Sequence, residues 1–329
     1  MTVDDTTSGL QRALDALTGA AAALASPPMQ PVVPDDVAAE SSDTKIAQTE
    51  SPHLPDTPVV VLSGPVNENW LELWYQPKID LRQKCLAGAE AFTRIRHPDH
   101  GVLSVESYLE SADEDSLARL IGRALVTALS DWTKFGDAGF NLRLAINIPV
   151  NLLLKLPISE LVNEHHPKSQ QWPGLIVEVT EDQFVRDPKR VRDIANQLRA
   201  NGIAIAIDDF GAGCSSLSAM RELAFAEIKI HKSFVNHCAT DAINAAICQT
   251  AIDLAHRFGS TAVADGIENI TDLQTLQIMG CDFGQGTLLA PPMTQERFLE
   301  LLQQRVSKPS AQQFVPAANG EPASSRLSA

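Results

Sequence analysis

Apolar runs that end in an acidic or amide residue recur along this chain, and they restrict its fold more than any other feature. Helical patterns such as that of residues 189–200 separate them, so strand and helix alternate over about 240 residues. Repeated strand–helix units favour a closed parallel barrel or a doubly wound parallel sheet. The apolar runs are LRLAINIP, LIVEVTE, IAIAIDDF, EIKIH and STAVADG, of which only EIKIH lacks an acidic or amide residue at its end.

Two of the segments between these runs have the periodicity of amphipathic helices. The first, residues 189–200, precedes the stop signal Asn201-Gly202, and its predicted buried face is Val191, Ile194, Ala195 and Leu198. The second, residues 241–258, has Asp241 as its N-cap. Its predicted buried stripe is Ile243, Ile247, Ala251, Leu254 and Phe258.

The polar residues at the strand ends bear on the choice between the two folds. In a (β/α)₈ barrel the strand ends would converge on one mouth, where the active sites of that fold lie. A single site could then use all of these residues. They are Asn147, Glu178, Glu181, Asp208, Asp209, Asp265, Glu268 and Gln285.

Several carboxylates within a few ångströms repel one another, and a divalent cation would compensate them. An all-oxygen set of Asp, Glu and Asn suits Mg²⁺ or Mn²⁺, whereas zinc more often recruits Cys or His. Lys229 has the same side-chain parity as His231 in the EIKIH run, so both can point to one face. Its ammonium would orient a water or stabilise a phosphoryl oxygen, or else pair with an acidic neighbour at the barrel rim.

Charge and cysteine content argue against several classes of function. With 26 Lys and Arg against 41 Asp and Glu, the net charge of -15 disfavours broad binding to a nucleic-acid backbone or an anionic membrane. The five cysteines are scattered without a C-x-x-C pair, which fits a reducing cytoplasm better than a disulfide framework or a zinc ribbon. The acidic start is unlike a secretory signal, and no apolar run is long enough to cross a bilayer.

The flanks of the alternating region differ from it in composition. Residues 1–26 contain an Ala-rich helical pattern with heptad-like leucines, which either pairs with a partner or a second copy or packs on its own domain. Residues 27–58 are rich in Pro, Ser, Thr, Asp and Glu and are predicted to be a disordered linker, and the tail 307–329 is similar. The folded domain is therefore predicted to span 59–306.

Eight segments of the chain occur in the same order and at similar spacing as the motifs of EAL-domain cyclic di-GMP phosphodiesterases. They lie within residues 66–304 and read LWYQPKIDL, AGAEAFTRIRHPDHG, AINIP, VEVTE, AIDDFGAGCSSL, IKIHKSFV, VADGIE and GCDFGQG. The chain thus resembles this family. The resemblance implies a modified TIM (β/α)₈ barrel and metal-dependent hydrolysis of cyclic di-GMP to linear pGpG. A site with two Mg²⁺ or Mn²⁺ ions fits, since paired ions can activate the water and stabilise the leaving oxygen.

The resemblance also implies roles for individual residues. The implied metal ligands are Glu90, Asn147, Glu178, Asp208, Asp209 and His231. The implied catalytic residues are Lys229, Asp265, Glu268 and Gln285. Gln76 and Arg94 would contact the substrate, and Glu181 would hold the loop after DDFG in place.

Several positions depart from the family pattern. His231 replaces a carboxylate associated with the second metal, which removes a negative charge and favours softer metals. Asp265 replaces a Glu, and a shift of about 1 Å in a catalytic group can cost of order a hundredfold in rate. Ala212 and Cys214 replace Thr and Tyr in the loop after DDFG, and Phe92 replaces the Leu of the signature. These changes weaken the second-metal side more than the first.

Three functions are compatible with this sequence. The first is a cyclic di-GMP phosphodiesterase, whether fully active or weak. The second is a catalytically impaired domain that binds cyclic di-GMP as an effector, and the third is an interaction module that no longer binds nucleotide. The partners expected are cyclic di-GMP, a second copy in a homodimer, and a protein bound through the N-terminal helix.

Overall fold

The structure is a computed structural model that describes residues 67–105, 113–153, 155–165, 172–213, 220–221 and 224–306. The predicted N-terminal helix, the linker, the C-terminal tail and Cys214 lie outside these residues.

Ten strands of the described residues form one sheet, and eight of them close into a barrel. Neighbouring strands are parallel from β2 through β4 to β9, while β1 lies antiparallel between β2 and β9 and closes the ring. The predicted modified TIM barrel is confirmed, and the doubly wound alternative is wrong. The strands are β1 Leu71–Asp80, β2 Cys85–His97, β3 Gly101–Ser104, β4 Arg143–Asn147, β5 Leu175–Thr180, β6 Ile203–Phe210, β7 Glu227–Ile230, β8 Thr261–Ala264, β9 Phe283–Gly284 and β10 Met293–Thr294.

Helices follow most of the strands and pack against the sheet. Within the part of the chain that the structure describes, no helix combines the length and apolar character needed to span a membrane. The α-helices are α1 Glu114–Asp137, α2 Val150–Leu153, α3 Ile158–His165, α4 Glu181–Arg186, α5 Pro188–Arg199, α6 Lys232–Val235, α7 Ala242–Arg257, α8 Ile270–Ile278 and α9 Gln295–Val306.

The two helices predicted from periodicity are present, but the predicted buried stripe of the second is only partly right, because Ala251 is buried and Leu254 and Phe258 pack against the core whereas Ile243 does not. Helix α5 buries the four predicted residues. Helix α7 begins after Asp241, whose carboxylate accepts hydrogen bonds from the amides of Ile243 and Asn244. However, Ile243 is 71% exposed, and the buried face is Cys248, Ala251, Ile252 and Ala255. Three of these four side chains are small and allow close packing on the barrel, whereas the first turn projects beyond the buried part of the helix.

Side chains inside the barrel form an apolar layer below a polar one. The apolar layer includes a buried cluster of one residue each from β4, β5 and β6: Ala145, Ile176 and Ala206. Because strand side chains alternate, the residues two positions further along point inward as well. They are Asn147, Glu178 and Asp208. The strand order therefore brings the polar residues together at the carboxyl ends of the strands.

Candidate active site

Three carboxylates converge on one buried lysine at this mouth. Oxygens of Glu90, Glu178 and Asp208 all lie within 4.8 Å of one another. The Lys229 ammonium is 2.7 Å from Glu178, 3.0 Å from Glu90 and 3.2 Å from Asp208. Lys229 and the two glutamates are at most 2% exposed. A net negative cluster of this kind is a candidate site for a divalent cation.

Two amide side chains complete the cluster. Asn147 Nδ2 donates to Glu90 Oε1 at 2.8 Å and to Glu178 Oε2 at 3.3 Å, and Gln285 Nε2 donates to Glu90 Oε2. Glu178 Oε1 and Gln285 Oε1 are buried without a hydrogen-bond partner among the described residues. Buried polar atoms are normally paired, so these two oxygens fit a site that accepts a further group. The carboxylates offer oxygen ligands, and each amide can rotate to present its oxygen in place of its nitrogen. A set of oxygen ligands suits a hard cation.

Burial and mutual repulsion perturb the titration of the cluster. Burial and the nearby Glu90 carboxylate raise the pKa of Glu178 well above its usual range. Burial, against the opposing effect of Lys229, raises the pKa of Asp208 to about 6. Burial would lower the pKa of Lys229, but the facing carboxylates of Asp208 and Glu178 outweigh it and raise the pKa. The lysine therefore stays charged, and Asp208 takes up a proton as the pH falls through about 6.

Glu181 anchors the segment after DDFG. Its Oε2 accepts hydrogen bonds from the backbone amides of Gly211 at 2.8 Å and Gly213 at 3.4 Å, and the residue is 1% exposed. The preceding Asp209 has a φ of 55°, a left-handed conformation that non-glycine residues adopt rarely. Glu181 thus lies against the loop, as a loop-supporting residue must, and Asp209 sits at a tightly turned position.

The residues expected on the second-metal side are less closely assembled. His231 Nε2 is 3.8 Å from Asp209 Oδ1, and the Asp209 side chain is half exposed. His231 is the N-cap of α6, where its Nδ1 accepts a hydrogen bond from the Ser233 amide at 3.2 Å. One ring nitrogen of His231 is therefore committed to the helix, and only Nε2 faces the acidic side.

Of the two acidic residues expected after β8, only one reaches the cavity. Asp265 lines it, and burial raises the pKa of this carboxyl, while Lys229 opposes the shift. Glu268 is exposed and is not among the described residues that line the cavity. It follows Ile267, which is fully buried, so the chain turns its next side chain outward.

The expected substrate contacts lie on adjacent strands. Gln76 of β1 pairs with Glu90 of β2 in the sheet, but its side chain is buried and donates to the Ala290 carbonyl at 3.0 Å. Arg94 lies four residues after Glu90 on the same strand, and its guanidinium carbon is 5.5 Å from the centre of the Phe92 ring. Gln76 thus braces the barrel, whereas Arg94 lies on the face that carries Glu90.

A cavity of about 460 Å³ opens above the cluster. Sequence patterning does not single out several of its lining residues. Thr180 is two residues after Glu178 on β5, so strand alternation alone could have identified it. Other residues that the pattern misses come from separate elements: Val105, Ile121, Ile148, Pro149, Gln183 and Lys232.

Comparisons with known proteins agree with this geometry. Residues 61–292 match the EAL domain family. The cyclic di-GMP phosphodiesterase PA2567 of Pseudomonas aeruginosa is 33% identical over 71% of this chain and 40% of its own length. The cyclic di-GMP phosphodiesterase RocR of the same organism is 32% identical over 77% of this chain and 64% of its own length.

A solved structure has the same fold. The MucR phosphodiesterase of Pseudomonas aeruginosa in complex with cyclic di-GMP superposes with a TM-score of 0.64 at 31% identity, covering 70% of this chain and 94% of that one. The chain spans 31% to 64% of the length of four curated relatives that it matches. Since the family match covers most of the chain and includes the barrel and its carboxylate cluster, this protein belongs to the EAL domain family.

Proposed function

We propose that this chain hydrolyses cyclic di-GMP to linear pGpG, with Mg²⁺ or Mn²⁺ bound at the mouth of the barrel. The first ion would be held by Glu90, Asn147, Glu178 and Asp208, and a second would lie toward Asp209. The observation that carries the proposal is the buried carboxylate cluster, whose Glu178 Oε1 lacks a partner among the described residues. The phosphodiesterase names of PA2567 and RocR support the choice of substrate.

Each residue of the site has a separate role in the proposed hydrolysis. Water attacks phosphorus, a new P–O bond forms, the P–O3′ bond breaks, and the leaving oxygen takes up a proton. The bound cation would supply Lewis-acid activation and charge stabilisation. Lys229 holds the three carboxylates together and can donate to the water or to a phosphoryl oxygen. Asp265 lines the cavity, and burial raises the pKa of its carboxyl, so it is a candidate for proton transfer.

Gln285 would act by orienting Glu90, to which it donates a hydrogen bond. Asn147 would turn its amide so that Oδ1 faces the ion, because Nδ2 now points at the two glutamates. Arg94 would contact a phosphate of the substrate. For Glu268 and Gln76 we propose no direct contact with the reacting atoms, given their positions.

A second candidate function is a cyclic di-GMP effector with little turnover. The arrangement of His231 favours it, since capping α6 occupies Nδ1 and the nearest Asp209 oxygen is 3.8 Å from Nε2. A second ion would then bind weakly, whereas the first-ion cluster remains able to hold a phosphate through a single cation. A domain of this kind would bind the nucleotide and release it unchanged.

The test is to incubate the purified chain with cyclic di-GMP and either cation and to follow pGpG by chromatography. Glu90→Gln should reduce turnover at least about a hundredfold, because it removes a ligand charge while keeping the side-chain shape. Glu72→Gln is the matched control: Glu72 lies on the neighbouring strand, where it pairs with Arg96. Binding without pGpG in the native protein would favour the effector, and neither binding nor turnover would favour an interaction module.

We also propose that the folded domain spans residues 59–306 and that the chain forms a homodimer. A protein partner would bind through the N-terminal helix. A reducing, cytoplasmic setting is also proposed, and it fits the free thiols of the four described cysteines: Cys85, Cys238, Cys248 and Cys281.

A further inference from the structure

The cavity above the cluster has two chemically different sides. One side carries the carboxylates and Lys229. The other is an apolar wall, which we define as Phe92, Val105, Ile121, Ile148 and Pro149. A phosphate and a cation account for the acidic side only, so the ligand should also present an apolar or aromatic surface to the wall.

Phe92 is the most accessible large side chain of this wall. Val105, Ile121 and Ile148 are 8%, 2% and 1% exposed and belong to the packed interior, whereas Phe92 is half-buried. Phe92 belongs to none of the hydrophobic clusters found among the described residues. It is also the one phenyl ring in the described cavity lining. Core packing therefore does not explain its place.

Strand geometry puts the ring at a fixed distance from the cluster. Phe92 is two residues after Glu90 on β2, so both side chains share one face and their Cα atoms are about 7 Å apart. Arg94, one step further, places its guanidinium carbon 5.5 Å from the ring centre, a cation–π contact that restrains the ring. The ring is therefore close enough to the candidate metal site for one nucleotide to place its phosphate at the cluster and its base at the ring.

We propose that Phe92 is a specificity-determining residue of this site and that a guanine base of cyclic di-GMP stacks on its ring. The inference rests on the proposed function, because it assumes a nucleotide whose phosphate lies at the carboxylate cluster. A phenyl ring offers a flat face for stacking that the Leu of the family signature lacks. The substitution therefore strengthens base binding without touching the acidic side.

The test compares Phe92→Ala and Phe92→Leu with the native protein. Phe92→Ala should raise the KM for cyclic di-GMP about tenfold with kcat within about twofold, since stacking contributes equally to ground-state and transition-state binding. The Kd of pGpG, which needs no turnover, should rise by a similar factor. Phe92→Leu should give a smaller loss, and Mn²⁺ affinity measured by tryptophan fluorescence should not change in either variant.

A matched control is Phe140→Ala, since Phe140 is also half-buried but packs on the core away from the cavity. It should leave KM and both affinities at their native values. If the native protein binds without turnover, the Kd of cyclic di-GMP replaces KM in each comparison.

The possible results distinguish a failure of base stacking on Phe92 from a failure of the proposed function. A native protein that binds cyclic di-GMP while Phe92→Ala binds it and pGpG equally well would overturn base stacking and leave the proposed function standing. A loss of Mn²⁺ affinity in Phe92→Ala would also overturn stacking, since the ring would then support the cluster. A native protein that binds neither nucleotide would overturn both proposals.

Discussion

Removing the ammonium of Lys229 should expose the electrostatic strain of the carboxylate cluster. In Lys229→Met the chain keeps an apolar stem of similar length, but Glu90, Glu178 and Asp208 lose the cation that now lies 2.7 to 3.2 Å from each of them. The free energy of unfolding should fall markedly at pH about 8 in the absence of divalent cations.

The size of the loss follows from burial. Lys229 and Glu178 are each 1% exposed and Glu90 is 2% exposed, so water cannot replace the lost partner. Removing one member of a buried ion pair costs about 3–5 kcal/mol. For a domain of this size, each kcal/mol shifts the melting temperature by about 2–4 °C, so Tm should fall by about 10 °C.

The loss should shrink as the pH falls. Burial already raises the pKa of Asp208 to about 6 and that of Glu178 well above its usual range. A carboxyl whose pKa is raised on folding stabilises the protein below that pKa, and the stabilisation is lost as the pH rises through it. Without Lys229 these pKa values rise further, so the variant regains stability by protonation between pH about 8 and about 5. Added Mn²⁺ should likewise raise its Tm at pH about 8, because it supplies the missing charge.

The measurement is thermal unfolding of both proteins by circular dichroism across this pH range, with and without Mn²⁺. Lys134→Met is the matched control, since the Lys134 side chain is 52% exposed and its buried partner Asp131 keeps the hydrogen bond from the Tyr75 hydroxyl. Its effect should be at most about 1 kcal/mol at every pH. An equal deficit for Lys229→Met at pH 5 and pH 8 would refute the reasoning, since the carboxylates would then not respond to the missing charge.

Three further predictions concern the site and its boundaries. His231→Asp together with Asp265→Glu should raise phosphodiesterase turnover above that of the native protein, and by more than the two single gains combined, because both changes act on one cluster. An Asp at position 231 can still cap α6. If the double variant is slower than the native protein in the pGpG assay, His231 and Asp265 are adapted to this site and the reasoning is wrong. Deleting residues 1–56 should leave the Kd of cyclic di-GMP unchanged by calorimetry, because the matched motifs lie within 66–304; loss of binding by a still-folded domain would contradict the division. Mn²⁺ affinity should increase between pH about 5 and about 7, because Asp208, with its pKa of about 6, must release a proton to ligate; a flat profile would place the ion elsewhere.

The sequence was sufficient for the barrel and for most members of the cluster. Period-two runs, helix end signals and the ordered motifs depend on local spacing, which the chain carries directly. Parity along each strand then predicts that Asn147, Glu178 and Asp208 point inward. The position of Glu181 beside the loop that follows β6 was implied by the family resemblance and not by parity along a strand.

Contacts between side chains on different strands cannot be predicted from spacing within one strand. Local spacing predicts Lys229 as a mouth residue, but only closure of the ring by β1 determines that its ammonium contacts three carboxylates at once. The outward position of Glu268 and the exposure of Ile243 depend on how far a loop or a helix extends past the strand ends, which local periodicity does not encode.

The sequence by itself thus determined the fold, the polar mouth and the acidic half of the site, because these depend on residue type and on spacing within one strand. Only the tertiary structure decided that His231 caps a helix with one ring nitrogen and that Phe92 joins residues from α1 and from the segments after β3 and β4 in an apolar wall. Such contacts join residues far apart in the chain, and they exist only once strand order and register have brought their elements together.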